Sequence, residues 1–458
     1  MGGGLLQLVA YGAQDAYLSG NPQITFFKGL YKRHTNFAME AFRVNFNGQP
    51  AWGTKQTAML GRNADLIYST YVEVQLPQGA FNNDQNRCGF NLIKYAELDI
   101  GGQVVDKMYG EFMKIWSDLS ANYSQVKMLD QMTGGANSNA TVQTNYTQTF
   151  ITASAPPDPY VASPAGGNLL STNNPTACTN TLQDFPTVLY VPLPLFFTRS
   201  PGAALPLIAL QYHEVKINVQ WNTPELVAGD YFALEASGVT GGPAQAALYC
   251  DYIYLDTEER RRMAQQSHEY LIEQGQFNED KGITGFSSRI DLTFNHPVKE
   301  LVWVVQPESY TNCSFTTNTV TAGDPAMKYP TDDGTTGMLR PFTYPDFPML
   351  DCMLQINGQE RFSKRYGSYF NGPQIYQHHT GWNQLQGGVY VYSFALRPEE
   401  HQPSGTCNFS RIDTATLSMT LSGTGPHDKM NAWNCRVYAI NYNILRVMSG
   451  MGGLAYSN

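Results

Sequence analysis

Two stretches far apart in the chain share one pattern: AELDIGGQVVDKMYGEFM (Ala96–Met113) and CMLQINGQERFSKRYGSYF (Cys352–Phe370). Each has an apolar residue, a Gly-Gly or Asn-Gly turn, a glutamine, a short charged run, and then Tyr-Gly with aromatics. Aligning Ile100 with Ile356 places Gly102 on Gly358 and Gln103 on Gln359, and one inserted residue brings Tyr109-Gly110 onto Tyr366-Gly367. Gly-Gly and Asn-Gly supply the positive φ of a type I′ hairpin turn, so each stretch reads as a strand, a tight turn and a second strand.

The likeness extends outward. An Asn-started apolar strand ending in proline precedes each motif, at 63–77 and 295–307. An aromatic strand follows each, LYVPLPLFF in the first half and VYVYSFAL in the second. A Pro-containing connection comes next, RSPGAALP or RPEEHQPSG, and each half closes on a tyrosine-bearing strand, YIYL or NYNIL. Four landmarks in one order indicate an internal duplication.

The segments around these landmarks are short and rich in β-branched and aromatic residues. Several alternate in polarity, as in Lys216-Ile217-Asn218-Val219 and Val389-Tyr390-Val391-Tyr392, the period of a sheet with one buried face. With 41 glycines and 26 prolines to punctuate turns, the class is all-β, with sandwiches as its form. Two stretches look helical: 106–119, from Met108, Phe112, Ile115, Trp116 and Leu119, and the segment opened by Asp256 or Thr257 as N-cap with acids in its first turn. The expected division is an arm at 1–22, a first sandwich at 23–256, a helical linker at 257–268, and a second sandwich with a tail at 269–458. Polar, nearly uncharged stretches at about 132–185 and 307–345, and a short one at 423–430, read as exposed loops.

Composition excludes several functions. Charged residues are 15% of 458, below the roughly 25% of ordinary soluble proteins, and the formal net charge is −9. Without a basic stripe, direct nucleic-acid binding is not expected, and Arg260-Arg261-Arg262 after Glu258-Glu259 reads as a charged helix face. No run approaches the roughly 18 apolar residues of a membrane span. No secretory signal is expected, and Leu6 stands where N-myristoylation of Gly2 needs Ser or Thr. The seven cysteines are scattered with no CxxC, as free thiols in a reducing compartment would be.

Catalytic patterns are missing too: no GxSxG, P-loop or dinucleotide fingerprint in context, and no HxH-plus-Glu set of a cupin metalloenzyme. His378-His379 are adjacent and would point to opposite faces of a strand; His213-Glu214 opens a strand without a partner motif. No catalytic, cofactor or metal residues are assigned. Among the N-x-[ST] triplets, Asn139, Asn145 and Asn312 lie in expected exposed loops and are the candidate glycosylation sites; Asn122 and Asn408 are set aside as chance matches.

Five long collinear segments carry a family resemblance: GLLQLVAYGAQDAYLSGNPQITFFKGLYKRHTNFA from Gly4, PLIALQYHEVK from Pro206, DYIYLDTEERRRMAQQSHEYLIEQ from Asp251, QPSGTCNFSRID from Gln402, and NYNILRVMSGMGGLAYSN from Asn441. The chain resembles the major capsid proteins of large icosahedral nucleocytoplasmic DNA viruses, of the chlorella-virus type. The polar insert before Phe185 departs from that pattern. The resemblance implies a double jelly-roll, two eight-stranded antiparallel sandwiches side by side, and a structural virion protein without enzymatic activity or cofactor. It implies homotrimers of pseudo-hexagonal outline, since three chains of two similar domains give six similar corners. Implied partners are neighbouring capsomers, minor capsid and penton proteins, and an internal membrane met by the N-terminal arm, with assembly in host cytoplasm. The alternative readings are a carbohydrate-binding β-sandwich protein, suggested by the aromatic content, and a cupin-like enzyme.

Overall fold

The computed structural model describes residues 3–27, 29, 31–76, 88–134, 187–222, 243, 245–307, 329–330, 336–337, 348–381, 388–421 and 433–456. Most of the expected loops at 132–185 and 307–345, the stretch 423–430, and Asn139, Asn145 and Asn312 lie outside these residues.

Sixteen of the described strands form two sets of eight. The first set is β1 (Phe37–Asn45), β2 (Lys55–Met59), β3 (Leu66–Leu76), β4 (Ile93–Ile100), β5 (Gln103–Tyr109), β6 (Thr187–Pro192), β7 (Val215–Trp221) and β8 (Gln245–Leu255). The second is β9 (His268–Ile283), β10 (Ser287–Asp291), β11 (Pro297–Pro307), β12 (Met349–Ile356), β13 (Gln359–Tyr366), β14 (Val389–Ser393), β15 (Ala415–Leu421) and β16 (Trp433–Met448). The first set forms sheets in the order β1-β8-β3-β6 and β2-β7-β4-β5; the second forms β9-β16-β11-β14 and β10-β15-β12-β13. Adding eight to each strand number of one sandwich gives the other. This is the jelly-roll winding, present twice.

The duplication holds at the level of register. Ile100 pairs with Gln103 and with Val215; Ile356 pairs with Gln359 and with Ala415. Both turns have positive φ at two residues, Gly101 and Gly102 at 62° and 89°, Asn357 and Gly358 at 49° and 77°, as a type I′ hairpin demands. The extra residue of the second motif is absorbed as a bulge: Cys352 faces Arg365, whereas Leu354 faces Phe362. Even a two-residue strand recurs, Leu205–Pro206 on Leu66 and Ile67, Cys407–Asn408 on Pro297 and Val298.

Alternation decides which face each residue serves. Val72, Val74, Leu248 and Cys250 of the first sandwich point into its core, as do Leu301, Trp303, Val437 and Ala439 in the second. The intervening residues, Tyr71, Glu73 and Tyr249 in one copy and Val302, Val304 and Tyr438 in the other, face outward.

The helical expectation at 106–119 is corrected: pairing of β5 with β4 continues to Tyr109, and the helix α1 spans Gly110–Ser120. The reason lies at Gly110, where a Cβ would overlap the carbonyl oxygens of Ile93 and Phe90. Gly367 is in the same position, its Cβ path blocked by the carbonyl oxygen of Met349, and it opens α4 (Gly367–Asn371). Between the two sandwiches α3 (Thr257–Gln265) is capped by the Asp256 carboxylate on the Thr257 amide at 2.8 Å, and strand resumes at His268. Arg260 of α3 pairs with Asp65 at 2.9 Å and Arg261 with Glu258 at 2.8 Å, the charged face expected of the arginine run. Helices not expected from the sequence include α2 (Tyr123–Thr133), α4 and α5 (Pro373–His378), besides shorter ones at Gly3–Val9, Ala16–Ser19, Cys88–Leu92 and Phe196–Arg199.

Residues 1–37 form a separate compact unit with a short helix at Gly3–Val9. Its Leu8, Leu18, Phe26, Phe27 and Tyr31 are exposed.

Replacing Gly110 by alanine should destabilise the fold by about 3 kcal/mol, the upper end of overpacking costs, because the obstacle is backbone rather than a movable side chain. Urea unfolding of Gly110→Ala checks this. An unchanged midpoint would show that the strand-to-helix corner can relax.

Candidate functional site at the junction of the sandwiches

With no catalytic group assigned, the feature of the molecule that does work is the surface where one sandwich meets the other. Helix α1 lies there, and nearly all of it is buried, Glu111, Lys114 and Asp118 included. Its apolar residues serve two sides. Met113 and Ile115 pack in the same cluster as the first core, while Phe112 meets Tyr438 of β16 at 5.2 Å between ring centroids. Tyr109 and Phe277 complete the cluster around Tyr438, at 6.1 and 5.2 Å. The outward side chains Val302, Val304, Val391 and Ile440 of the second sandwich belong to the same buried cluster as the first core, so the two bodies share a continuous apolar contact.

Three charged groups are set into that apolar surface. Arg436 donates to Glu111 from Nε and Nη2, both at 2.6 Å, and Nη2 also donates to Gln306 Oε1 at 2.7 Å. The Tyr438 hydroxyl donates to the same carboxylate at 2.6 Å. Glu273 of β9 receives Arg199, which follows β6, and Lys299 Nζ at 2.7 Å; the Lys299 side chain is wholly buried. Burial works against the Glu273 carboxylate, but Arg199 and Lys299 outweigh it and hold its pKa below the ordinary value. Burial also pulls Lys299 below its usual value in spite of Glu273. Trp116 of α1 caps this group, with the Arg199 guanidinium 5.0 Å and Lys299 Nζ 5.7 Å from its ring centroid.

The third group is His379, which also corrects the strand expectation for His378-His379. The pair ends helix α5, opened by Pro373, and the two rings have different fates. His378 is half-buried, its Nδ1 3.1 Å from Leu396 O, whereas the His379 ring is buried between Glu300 and Glu399, with Nδ1 3.0 Å from Glu399 and Nε2 bonded to Glu300. Burial opposes its charge, yet the two carboxylates prevail and raise the imidazole to about 9. Its ring meets Trp116 edge-on at 6.4 Å. Just beyond, the Gly381 amide donates to Leu119 O at 2.7 Å, where a Cβ would collide with the α1 backbone.

None of these residues formed a motif, since Glu111 and Arg436 lie 325 positions apart. His213 meets the C-terminal strand through Gly452 at 3.0 Å. Asn408 Oδ1 accepts from the Ser410 amide, an ordinary turn cap. Cys250, Cys352, Cys407 and Cys435 are free thiols. Among the described residues no group of three or more His, Cys, Asp or Glu could hold a metal ion, and no helix is long and apolar enough to cross a membrane.

Glu111→Ala strands a buried guanidinium and should cost about 3–5 kcal/mol, while Glu111→Leu combined with Arg436→Met should recover most of that loss. Urea midpoints of the single and double variants measure both. The pH response follows from His379. Its folded pKa, about 9, exceeds the unfolded value near 6.5, so its contribution is complete below about pH 6.5 and is lost as pH rises through 9. The unfolding free energy should fall across that window by on the order of 3 kcal/mol, the thermal midpoint falling with it, and His379→Gln should flatten the profile.

Two family models cover almost the whole chain: major capsid protein N-terminus over residues 25–256, and large eukaryotic DNA virus major capsid protein over 259–453. The major capsid protein of Pyramimonas orientalis virus is 43% identical over 480 residues, and that of Paramecium bursaria Chlorella virus 1 is 40% identical over 490, each alignment spanning 100% of both chains. A chain of the PBCV-1 virus capsid superposes with a TM-score of 0.71 at 34% identity, covering 95% of this chain and 100% of that one. The double jelly-roll, its internal duplication and these matches agree: the chain belongs to the major capsid protein family of large eukaryotic DNA viruses.

Proposed function

We propose that this capsid subunit works as a closed homotrimer, a capsomer of pseudo-hexagonal outline that tiles an icosahedral shell. The observation that carries the reading is the junction itself. A helix of one jelly-roll is clamped on the outer sheet face of the next, and the second jelly-roll has a helix at the same corner. Three two-domain chains present six such domains, enough to close a ring in which all corners are alike. The division into an arm at 1–22, sandwiches at 23–256 and 269–458, and a linker at 257–268 belongs to this reading, supported by α3 between the two strand sets.

The same reading makes the role structural, without catalysis or cofactor. Neighbouring capsomers, minor capsid and penton proteins would be its further partners. The exposed apolar residues of the 1–37 unit support an arm that meets minor proteins or an internal membrane. Asn139, Asn145 and Asn312 are carried as glycosylation sites on their sequons alone.

With few charges available, trimer contacts rest on broad neutral surface. Exposed ion pairs contribute at most about 1 kcal/mol each, whereas permanent homo-oligomer interfaces bury roughly 2,000–5,000 Å². Native mass measurement should therefore give three times 50.9 kDa and the same value in about 1 M NaCl. A monomer at micromolar concentration overturns the trimer, and dissociation by salt overturns the account of what holds it.

A further inference from the structure

The junction supplies a template for a contact the single chain cannot make. Within the chain, Tyr109 and Phe112 of the first copy clasp Tyr438 on the outer face of the second copy's β9-β16-β11-β14 sheet. The duplication fixes the counterparts of all three. Tyr109 pairs with Tyr95 at the end of β5, and Tyr366 pairs with Asp351 at the end of β13, each one residue before the glycine that opens a helix. Phe112 is the third residue of α1, and Tyr369 is the third residue of α4. Tyr438 opposes Val302, the sixth residue of β11; Tyr249 opposes Tyr71, the sixth residue of β3.

Burial differs between the copies just where a missing neighbour would make it differ. Val302, Val304 and Tyr438 are 0, 0 and 4% exposed, covered by the first sandwich. Their counterparts Tyr71, Glu73 and Tyr249 are only half-buried, and Tyr190 beside them is 36% exposed. On the helix side, Tyr109 is half-buried and Phe112 buried, whereas Tyr366 is 79% exposed and Tyr369 half-buried. The chain thus carries both halves of a second aromatic clasp, on different sandwiches. Tyr71 and Tyr249 already stack at 5.4 Å with planes 3° apart, and Tyr190 meets Tyr71 edge-on at 5.8 Å, so the receiving face is ordered beforehand.

Charge supports the same partner. Glu73 and Asp251 project among the three tyrosines on the receiving face. On the other half an exposed Arg365 lies with its guanidinium 4.3 Å from the Tyr369 ring centroid. The Glu111–Arg436 pair has no equivalent there, because Ser368 and Ala247 occupy those places.

We propose that Tyr366 and Tyr369 of one copy seat on the Tyr71–Tyr190–Tyr249 face of the next, with Arg365 toward Glu73 and Asp251, repeating between chains the clasp made within the chain around Tyr438. The proposal rests on the trimer reading and specifies which surfaces meet in it.

The test uses the full chain with cysteines at Tyr249→Cys and Tyr366→Cys and a short bismaleimide. Within the chain Tyr109 and Tyr438 have ring centroids 6.1 Å apart, so the paired cysteines lie within the reagent's reach. The double variant should yield covalent dimers and trimers on a denaturing gel, and each single variant no more than the unmodified chain. A native mass of three chains without covalent products overturns the assigned faces and leaves the trimer standing; a monomeric native mass of the unmodified chain overturns both. Tyr366→Ala is a second arm, since so exposed a side chain can be truncated with the fold, read by circular dichroism, intact. It should weaken trimerisation about tenfold per contact, as loss of an interface tyrosine anchor does. Trimers as tight as the unmodified chain's would refute the proposal.

Discussion

Glu111 and Arg436 meet in a place where neither can be left alone. Each is a full charge removed from water, tolerable only while the two-pronged guanidinium faces both carboxylate oxygens. The surrounding contact, Val302, Val304, Val391 and Ile440 against the first sandwich, contributes more free energy but tolerates sliding, because apolar burial has no direction. The ion pair admits essentially one approach. It sits at the first turn of α1, and the Tyr438 hydroxyl bonds to the same carboxylate, so helix and sheet are fixed at a single register. The Arg199–Glu273 pair repeats the device elsewhere along the junction. His379 and its two carboxylates all belong to the second sandwich, and Trp116 of the first touches both groups.

For a shell subunit this rigidity is the function. A lattice built from one chain requires that its two domains keep a constant relation, since small angular errors accumulate over many copies. The junction meets that requirement with two buried ion pairs whose partners come from both sandwiches, Glu111–Arg436 and Arg199–Glu273, and with Gly381, which lets its backbone approach that of α1 closely. The duplicated corner shows how the halves have diverged. Where the first copy has Glu111 the second has Ser368, and where the second has Arg436 the first has Ala247. The charged lock is therefore specific to the contact inside the chain, and no other pairing of the two halves can form it.

Much of this was legible in the sequence. The period-2 alternation of β7 and β14, the Gly-Gly and Asn-Gly turns and the paired Tyr-Gly landmarks are local signals, and each corresponds to a strand, a hairpin or a corner in the structure. Turn chemistry fixes positive φ wherever it occurs, so Gly101-Gly102 and Asn357-Gly358 needed no tertiary information. The duplication was visible for a related reason: both halves fold under the same local constraints, so the residues those constraints dictate remain alike.

Tertiary structure decided what local signals cannot contain. Alternation shows that a strand has two faces but not what covers the second, so nothing marked Val302 as buried and its counterpart Tyr71 as half-exposed. Met108 has helical spacing to Phe112 and Ile115, yet it belongs to β5, because pairing with β4 runs on to Tyr109 before the backbone at Ile93 forces the turn at Gly110. His379 looked like one of two idle histidines, and its charge is set by Glu300 and Glu399 from separate parts of the chain. The sequence by itself determined two jelly-rolls and their turns, which depend on neighbours a few residues away. The junction that makes one rigid body of them depends on charges 325 residues apart, and only folding brings those together.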